Sequence, residues 1–108
     1  MKEYTVECGT KGPVIFTGKI IGFAESTDLI STRFSIHPYR ATTTLILYST
    51  KGGKYVCEKF VISDRDNDEI KRTGAVCSAT SQVYKFFGTS KLAQSIFKMA
   101  ELPPLRID

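Results

Sequence analysis

The apolar residues of this chain change their spacing once. Up to about residue 62 they alternate with polar residues or form short β-branched runs, and between about residues 80 and 101 they recur every three or four positions. The first spacing is typical of β-strands and the second of amphipathic helices. Because the strand pattern comes first, the sequence predicts an α+β fold: an antiparallel sheet of about four to six strands, with two short C-terminal helices packed on one face.

The first part of the chain contains two runs with strand character. Residues 3–8 alternate apolar and polar side chains, and residues 14–23 are apolar on both faces, which predicts a central strand. Gly18 lies inside the second run, where a missing side chain usually marks a bulge, a bend or the close approach of another backbone. Residues 24–32 are more polar and are predicted to form a loop.

The clearest hairpin signal lies in the middle of the chain. Residues 42–48 and 55–62 are rich in β-branched and aliphatic side chains. Gly52 and Gly53 between them supply the positive φ angles that tight hairpin loops require. These two runs are therefore predicted to pair as neighbouring antiparallel strands.

Three further segments are assigned from their composition. Residues 33–37 alternate until Pro38 and predict an edge strand. Residues 63–74 are the most polar part of the chain and predict a solvated loop or a short helix. Residues 75–78 predict a last short strand before the helices begin.

Two helices are predicted after residue 79. Thr80 or Ser81 caps the first helix and Gly88 ends it, while Thr89 or Ser90 caps the second. The first helix turns Val83, Phe86 and Phe87 inward, and the second turns inward Leu92, Ala93, Ile96, Phe97 and Ala100. Such short helices are marginal alone, so their apolar faces are expected to pack on the sheet.

Length and composition predict one domain spanning residues 1–108. A chain of 108 residues with 42% apolar residues can fill a single modest core. The chain contains no apolar run long enough to cross a bilayer, and residues 1–10 lack the pattern of a signal peptide. We therefore expect no membrane contact and a cytoplasmic location. The net charge of +4 weakly favours anionic partners.

The cysteine and histidine content argues against a metal site and a catalytic site. Cys8, Cys57 and Cys77 are odd in number and far apart in sequence, which favours reduced, buried thiols. His37 is the only histidine, so clustered metal ligands are lacking, and no cofactor or metal is expected. Catalysis by Cys57 or Ser35 would depend on His37, and a lone histidine beside a proline more often packs or lies on the surface. We therefore expect a protein that is not an enzyme.

Glu58 shares a predicted strand face with Val56, Phe60 and Ile62, so it would lie inward if those residues do. A buried carboxyl group needs a partner. Two interpretations are open: this face is partly exposed, or Glu58 pairs with a basic residue such as Lys19 or Lys54.

One binding hypothesis is that the chain binds nucleic acid. Residues 33–40 interleave basic and aromatic side chains, a combination that neutralises phosphate and stacks on bases. The predicted hairpin carries more such residues. The full candidate set is Arg33, His37, Tyr39, Arg40, Lys51, Lys54, Tyr55 and Lys59. The same pattern also arises where basic side chains and proline protect a sheet edge from pairing.

The leading hypothesis is a small non-enzymatic binding protein that acts through protein contacts, as a homodimer or as an accessory factor of a bacterial or phage system. The partner or second copy would contact an exposed sheet edge or the C-terminal tail. The candidate tail residues are Leu102, Leu105 and Ile107, which are apolar and lie beside two prolines. Apolar residues in this position are expected to contact a partner or this protein's own sheet.

The chain also resembles the small bacterial EXLDI-domain proteins in the order of its features. These are a Phe-x-Gly-x-Ile strand at Phe16, Gly18 and Ile20, a Thr-Lys-Gly-Gly-Lys-Tyr hairpin at residues 50–55, and paired short helices near the terminus. That family is named for a C-terminal Glu-x-Leu-Asp-Ile motif, whereas residues 101–108 read Glu-Leu-Pro-Pro-Leu-Arg-Ile-Asp. The resemblance covers about residues 14–108 and implies a bacterial or mobile-element origin, without an activity to carry over.

Overall fold

The computed structural model describes residues 1–30, 39–63 and 70–102. Within these residues, strands in chain order form one antiparallel sheet and are followed by two helices. The strands are β1 (Lys2–Glu7), β2 (Pro13–Ile30), β3 (Tyr39–Thr50), β4 (Tyr55–Ser63) and β5 (Ile70–Cys77), and the helices are α1 (Thr80–Phe87) and α2 (Lys91–Met99). The predicted α+β fold is confirmed. The edge strand predicted at residues 33–37 lies outside the described residues.

Two strands are longer than the sequence predicts. Residues 24–30, which we expected to form a loop, continue β2 and pair with residues 39–45 of β3. Residues 70–74, expected in a loop or short helix, begin β5 and pair with β4. Both predictions were wrong because they relied on polarity, whereas ladder hydrogen bonds between strands form through the backbone.

The predicted hairpin is confirmed at the junction of β3 and β4. Its turn is closed by hydrogen bonds from Thr50 N to the Lys54 carbonyl, at 2.9 Å, and from Gly53 N to the Thr50 carbonyl, at 3.1 Å. Gly53 has a φ of 81°, a conformation that glycine adopts without steric cost. Gly53 therefore has the role that the sequence indicates, whereas Gly52 does not adopt a positive φ.

Both helices pack on one face of the sheet, as predicted. The core beneath them joins strand and helix side chains: Ala24, Leu45, Leu47, Cys57, Cys77, Val83, Phe87, Ala93, Ile96 and Phe97. Helix α2 crosses β2 at Gly22, where an added Cβ would lie 2.6 Å from Cγ1 of Ile96. A side chain at this position would separate the helix from the sheet.

The helix caps are confirmed in part. Ser90 caps α2, with its hydroxyl accepting a hydrogen bond of 3.1 Å from Ala93 N, and Gly88 ends α1 with a φ of 81°. The cap predicted for α1 was wrong, because Ala79 occupies the N-cap position. There the Gln82 side chain instead accepts hydrogen bonds from the backbone and hydroxyl of Ser78, at 2.7 and 3.2 Å.

The opposite face of the sheet curls and encloses a second cluster of buried side chains. This cluster consists of Val6, Cys8, Tyr48 and Val56, with Tyr4, Val14, Phe16 and Ile46 packed against it. The curl brings β1 next to β5 at Gly74, where an added Cβ would lie 2.5 Å from the Glu7 carbonyl oxygen. Gly74 thus permits the close approach of the first and last strands.

No helix in the described part of the chain has the length and apolarity to cross a membrane.

Candidate protein-interaction edge

Strand β2 is paired on both sides for only part of its length. Strand β1 pairs with residues 13–18 of β2, and β3 pairs with β2 from Gly18 to Ile30. Among the described residues, no strand pairs with the other side of residues 23–29. We call residues 23–29 of β2 the free edge.

A bulge determines which backbone groups of the free edge point outward. The register with β3 shifts between Ile20 and Gly22, so the alternation of inward and outward groups changes there. Before the bulge, the Thr17 carbonyl accepts a hydrogen bond of 2.8 Å from Lys51 N and so points towards β3. After the bulge, the odd-numbered residues of β2 point away from β3, which leaves their N–H and C=O groups at the free edge.

Two contacts agree with this assignment. The N–H group of Phe23 bonds to the sulfur of Met99 at 3.4 Å, away from β3. The hydroxyls of Thr27 and Thr42, directly opposite each other, lie 3.0 Å apart. Such close side-chain contact is typical of cross-strand pairs that exchange no backbone hydrogen bonds. Glu25, Thr27 and Leu29 therefore present their donors and acceptors outward.

The side chains of the free edge are suited to contact another strand. Phe23 is 46% exposed and Leu29 is 66% exposed, and both lie on the face opposite the helices. Between them, Glu25 turns back towards β3, where its Oε2 accepts a hydrogen bond of 3.2 Å from the Thr44 hydroxyl. Residues 23–29 contain no Lys, Arg, Pro or Gly, the residues that commonly discourage edge pairing or weaken a strand.

The outer edge of β5 differs from the free edge. It carries Lys71 and Arg72, and Arg72 lies over the Phe60 ring, 5.4 Å from its centroid. The middle of β5 is approached by β1 at Gly74. Because of these charges and of the nearby β1, less of the β5 edge than of the free edge is accessible to a partner strand.

The sequence did not single out the free edge. Its signal is the alternation Phe23, Glu25, Thr27 and Leu29, which has the period of a strand. The polarity of residues 24–32 instead predicts a loop, and Phe23 ends the strand predicted before it.

The structure divides the candidate nucleic-acid residues into separate groups. Lys51 and Lys54 are exposed at the β3–β4 turn, whereas Arg40 lies at the opposite end of β3, roughly 35 Å away at the usual strand rise. Lys59 is exposed on the helix-bearing face of β4. Tyr55 is half-buried against the helix core and Tyr39 is half-buried at the start of β3. Arg33 and His37 lie outside the described residues.

The described part of the C-terminal tail packs on the protein itself. Leu102 is half-buried against the core beneath the helices, and its N–H donates a hydrogen bond of 3.1 Å to the Phe97 carbonyl. Leu105 and Ile107 lie outside the described residues. Leu102 therefore packs against the protein's own core.

Glu58 is buried, and its described partner is a tyrosine. The side chain of Glu58 is 6% exposed and accepts a hydrogen bond of 3.0 Å from the hydroxyl of Tyr48. The interpretation that its strand face is partly exposed was wrong at this residue, because β1 curls over it. Burial and the bond to Glu58 raise the pKa of Tyr48 well above its ordinary value.

The three cysteines are free and buried, as predicted. The sulfurs of Cys57 and Cys77 lie 3.8 Å apart on neighbouring strands. Burial raises the pKa of each of the three thiols, and Cys57 is fully inaccessible to solvent. Because the thiolate is the nucleophilic form, this environment does not activate Cys57.

A groove of about 470 Å³ lies beside the two helices. Its base contains the rings of Tyr84 and Phe97, whose centroids are 4.3 Å apart, and its rim includes Ser81, Lys85 and Gln94. The described lining contains no carboxyl, thiol or imidazole group that could act with Lys85 as an acid–base pair. Across the described chain, no three residues with metal-binding side chains come together.

Comparison with known proteins gives no relative from which a function could be transferred. No family model matches the chain, and no curated protein or solved structure matches it.

Proposed function

We propose that this chain is a small non-enzymatic interaction protein that pairs the free edge of β2 with an extended strand of another protein molecule. The outward backbone groups of Glu25, Thr27 and Leu29 carry this proposal. In strand addition, main-chain hydrogen bonds contribute affinity and the alternating side chains contribute specificity. Phe23 and Leu29 supply two exposed apolar side chains for that purpose.

The proposal is tested with the variant Thr27→Pro. Proline at position 27 removes an outward N–H group and the hydroxyl that contacts Thr42, and it leaves the backbone hydrogen bonds between β2 and β3 in place. The probe is a set of nine-residue peptides selected on the wild-type protein from a random displayed library. We expect the selected peptides to bind wild type at least about tenfold more tightly than the variant, since a lost backbone bond to a strand partner weakens pairing.

A matched control is Val76→Pro at the outer edge of β5. By the same alternation, the N–H group of Val76 points away from β4, so this variant blocks the other sheet edge.

Amide hydrogen exchange then shows where the peptide binds, and we expect the bound peptide to protect the amides of Glu25, Thr27 and Leu29. Equal binding to wild type and Thr27→Pro, protection confined to other strands, or the absence of selected peptides would refute the proposal.

The proposal also includes two predictions from the sequence, on the cellular location of the protein and on its biological origin. We place the protein in the cytoplasm, and we propose that it serves as an accessory factor of a bacterial or phage system. The resemblance to EXLDI-domain proteins supports that origin and stays a prediction.

A nucleic-acid-binding function is the second candidate, and the placement of two lysines favours it. Lys59 and Lys71 are both exposed and lie on one face of the neighbouring strands β4 and β5, where Lys59 pairs with Thr73 and Lys71 with Val61. Tyr39 lies on the same face of the adjacent strand β3. Ammonium groups on a sheet face that also carries an aromatic side chain suit a phosphate backbone and its bases.

This second candidate is tested by the salt dependence of binding to labelled single- and double-stranded DNA and RNA. Binding should weaken steeply with salt, because each phosphate contact releases counterions. Replacing Lys59 and Lys71 together with Ala should weaken binding and flatten the salt dependence, whereas replacing Lys51 and Lys54 makes the same charge change at the distant turn. Equal effects of the two double variants would exclude this face as the binding site.

A further inference from the structure

The geometry of the free edge points to a second copy of this chain as its partner. We propose that two β2 strands pair antiparallel about a two-fold axis at Ser26, so that Phe23 of each copy faces Leu29 of the other. This inference rests on the proposed use of the free edge and names the molecule that occupies it. An interface between identical surfaces requires a self-complementary sequence, which the edge provides.

The side chains select this register among those that keep outward groups facing each other. With the axis at Ser26, Glu25 faces Thr27 and Asp28 faces Ala24, so every acidic side chain lies opposite a neutral one. With the axis at Glu25, two carboxylates would face each other, and like charges directly opposite destabilise a strand pair. With the axis at Thr27, Leu29 would face Glu25 and the apolar match would be lost.

The Ser26 register also aligns the backbone. Pairs 23 with 29 and 25 with 27 occur twice, and all of these residues point outward, so the two strands can exchange about eight hydrogen bonds. The N–H group of Phe23 must leave the sulfur of Met99, which is a weak acceptor. Met99 is 58% exposed, so its side chain has room to move aside.

Charge gives the dimer a distinctive dependence on salt. The free edge carries Glu25 and Asp28 and no basic side chain, so two edges of equal negative charge approach each other. Added salt screens that repulsion and should strengthen the dimer. Nucleic-acid binding has the opposite dependence, which separates this interaction from the second candidate function.

The register is tested by cross-linking of cysteine variants of the full chain. In the proposed dimer, the two copies of residue 26 face each other as a pair without hydrogen bonds, with Cα atoms about 4.5 Å apart, within reach of a disulfide. Ser26→Cys should therefore form a covalent dimer under mild oxidation. Asp28→Cys is the matched control on the same strand face, because its two copies would lie roughly 13 Å apart.

Sedimentation of the wild-type protein completes the test. We expect a reversible dimer at micromolar concentrations that tightens as salt rises, and Thr27→Pro should raise its dissociation constant about tenfold or more. Val76→Pro should leave the dissociation constant unchanged.

Other results would overturn the inference. A monomeric wild type without Ser26→Cys cross-links excludes the dimer, and equal cross-linking of both cysteine variants excludes the register. A monomer whose Glu25, Thr27 and Leu29 amides are already protected would show that the free edge is covered within a single chain. If the dimer is absent but selected peptides still distinguish wild type from Thr27→Pro, the proposed function stands with another partner.

Discussion

The hydroxyl of Tyr48 donates a hydrogen bond of 3.0 Å to Oε1 of Glu58, joining neighbouring strands inside the curled sheet. Both side chains are buried, beside the Val6 side chain of β1. Among the described residues, every fully buried side-chain nitrogen and oxygen has a hydrogen-bond partner. This bond therefore satisfies a carboxyl oxygen that the curl removes from water.

Replacing Tyr48 with Phe should lower the free energy of unfolding by about 1–3 kcal/mol, because a buried acceptor of Glu58 loses its donor. Chemical denaturation monitored by circular dichroism measures this change. Glu58→Gln keeps an oxygen acceptor and should cost less. A double-mutant cycle of Tyr48→Phe with Glu58→Ala, which removes the acceptor, should be non-additive by about 0.5–3 kcal/mol, whereas simple additivity would show that the bond contributes nothing.

The raised pKa of Tyr48 predicts a loss of stability at alkaline pH. The folded protein holds the phenol proton, whereas the unfolded chain releases it above about pH 10. The contribution of Tyr48 to the free energy of unfolding is therefore fully present below about pH 10. It is lost as the pH rises further, by up to about 1.4 kcal/mol per pH unit. Denaturation at pH 9, 10 and 11 should show a steeper decline for wild type than for Tyr48→Phe. Parallel declines would mean that Tyr48 titrates normally.

Gly74 should tolerate substitution poorly. A Cβ there would lie 2.5 Å from the Glu7 carbonyl oxygen and 2.8 Å from Cγ1 of Val6, so alanine must push β1 away from β5. We expect Gly74→Ala to lower the free energy of unfolding by about 1–3 kcal/mol. Gly52→Ala is the matched control, because an added Cβ at Gly52 meets no atom within 4 Å. Equal thermal stability of the two variants would contradict the close approach of β1 and β5.

The three thiols should react slowly in the folded protein. Burial raises the pKa of Cys8, Cys57 and Cys77, which keeps them protonated at neutral pH and away from reagents. With a chromogenic disulfide at pH 8, we expect the thiols to react only when the chain unfolds. Cys57, which is fully inaccessible, should be the slowest of the three. Rapid reaction at Cys57 in the native protein, located by mass spectrometry, would contradict this arrangement.

Proline scanning of β2 should distinguish its two sides. Thr27→Pro removes an outward N–H and should cost little stability, whereas Ser26→Pro removes a hydrogen bond to β3 and should cost about 1–3 kcal/mol more. Thermal denaturation measures both variants. A larger loss for Thr27→Pro would reverse the assignment of the free edge.

Much of the fold follows from local sequence patterns. The hairpin at Gly52 and Gly53, the cap at Ser90 and the stop at Gly88 rest on local backbone geometry, which neighbouring residues largely determine. The inward face of α2 follows from the spacing of Ala93, Ile96 and Phe97. These features could be predicted because each depends on a few adjacent positions.

The extent of β2 and β5 could not be predicted in this way. Residues 24–30 are mostly polar, and they form a strand because β3 offers a complementary row of backbone groups. The N-cap of α1 also departs from expectation, because Ala79 holds that position without a capping side chain, and Gln82 instead accepts hydrogen bonds from Ser78.

The sequence by itself determined that a sheet precedes two helices, the position of the β3–β4 turn and the helix residues that face the sheet. Periodicity and composition are enough for these features. Only the tertiary structure decided that Glu58 accepts a hydrogen bond from Tyr48 and that β2 extends beyond the residues that pair with β1. The curl of the sheet buries this pair beside β1, and the bulge in β2 decides which backbone groups of the free edge point outward. Such long-range contacts arise from the packing of whole strands, so no local pattern reports them.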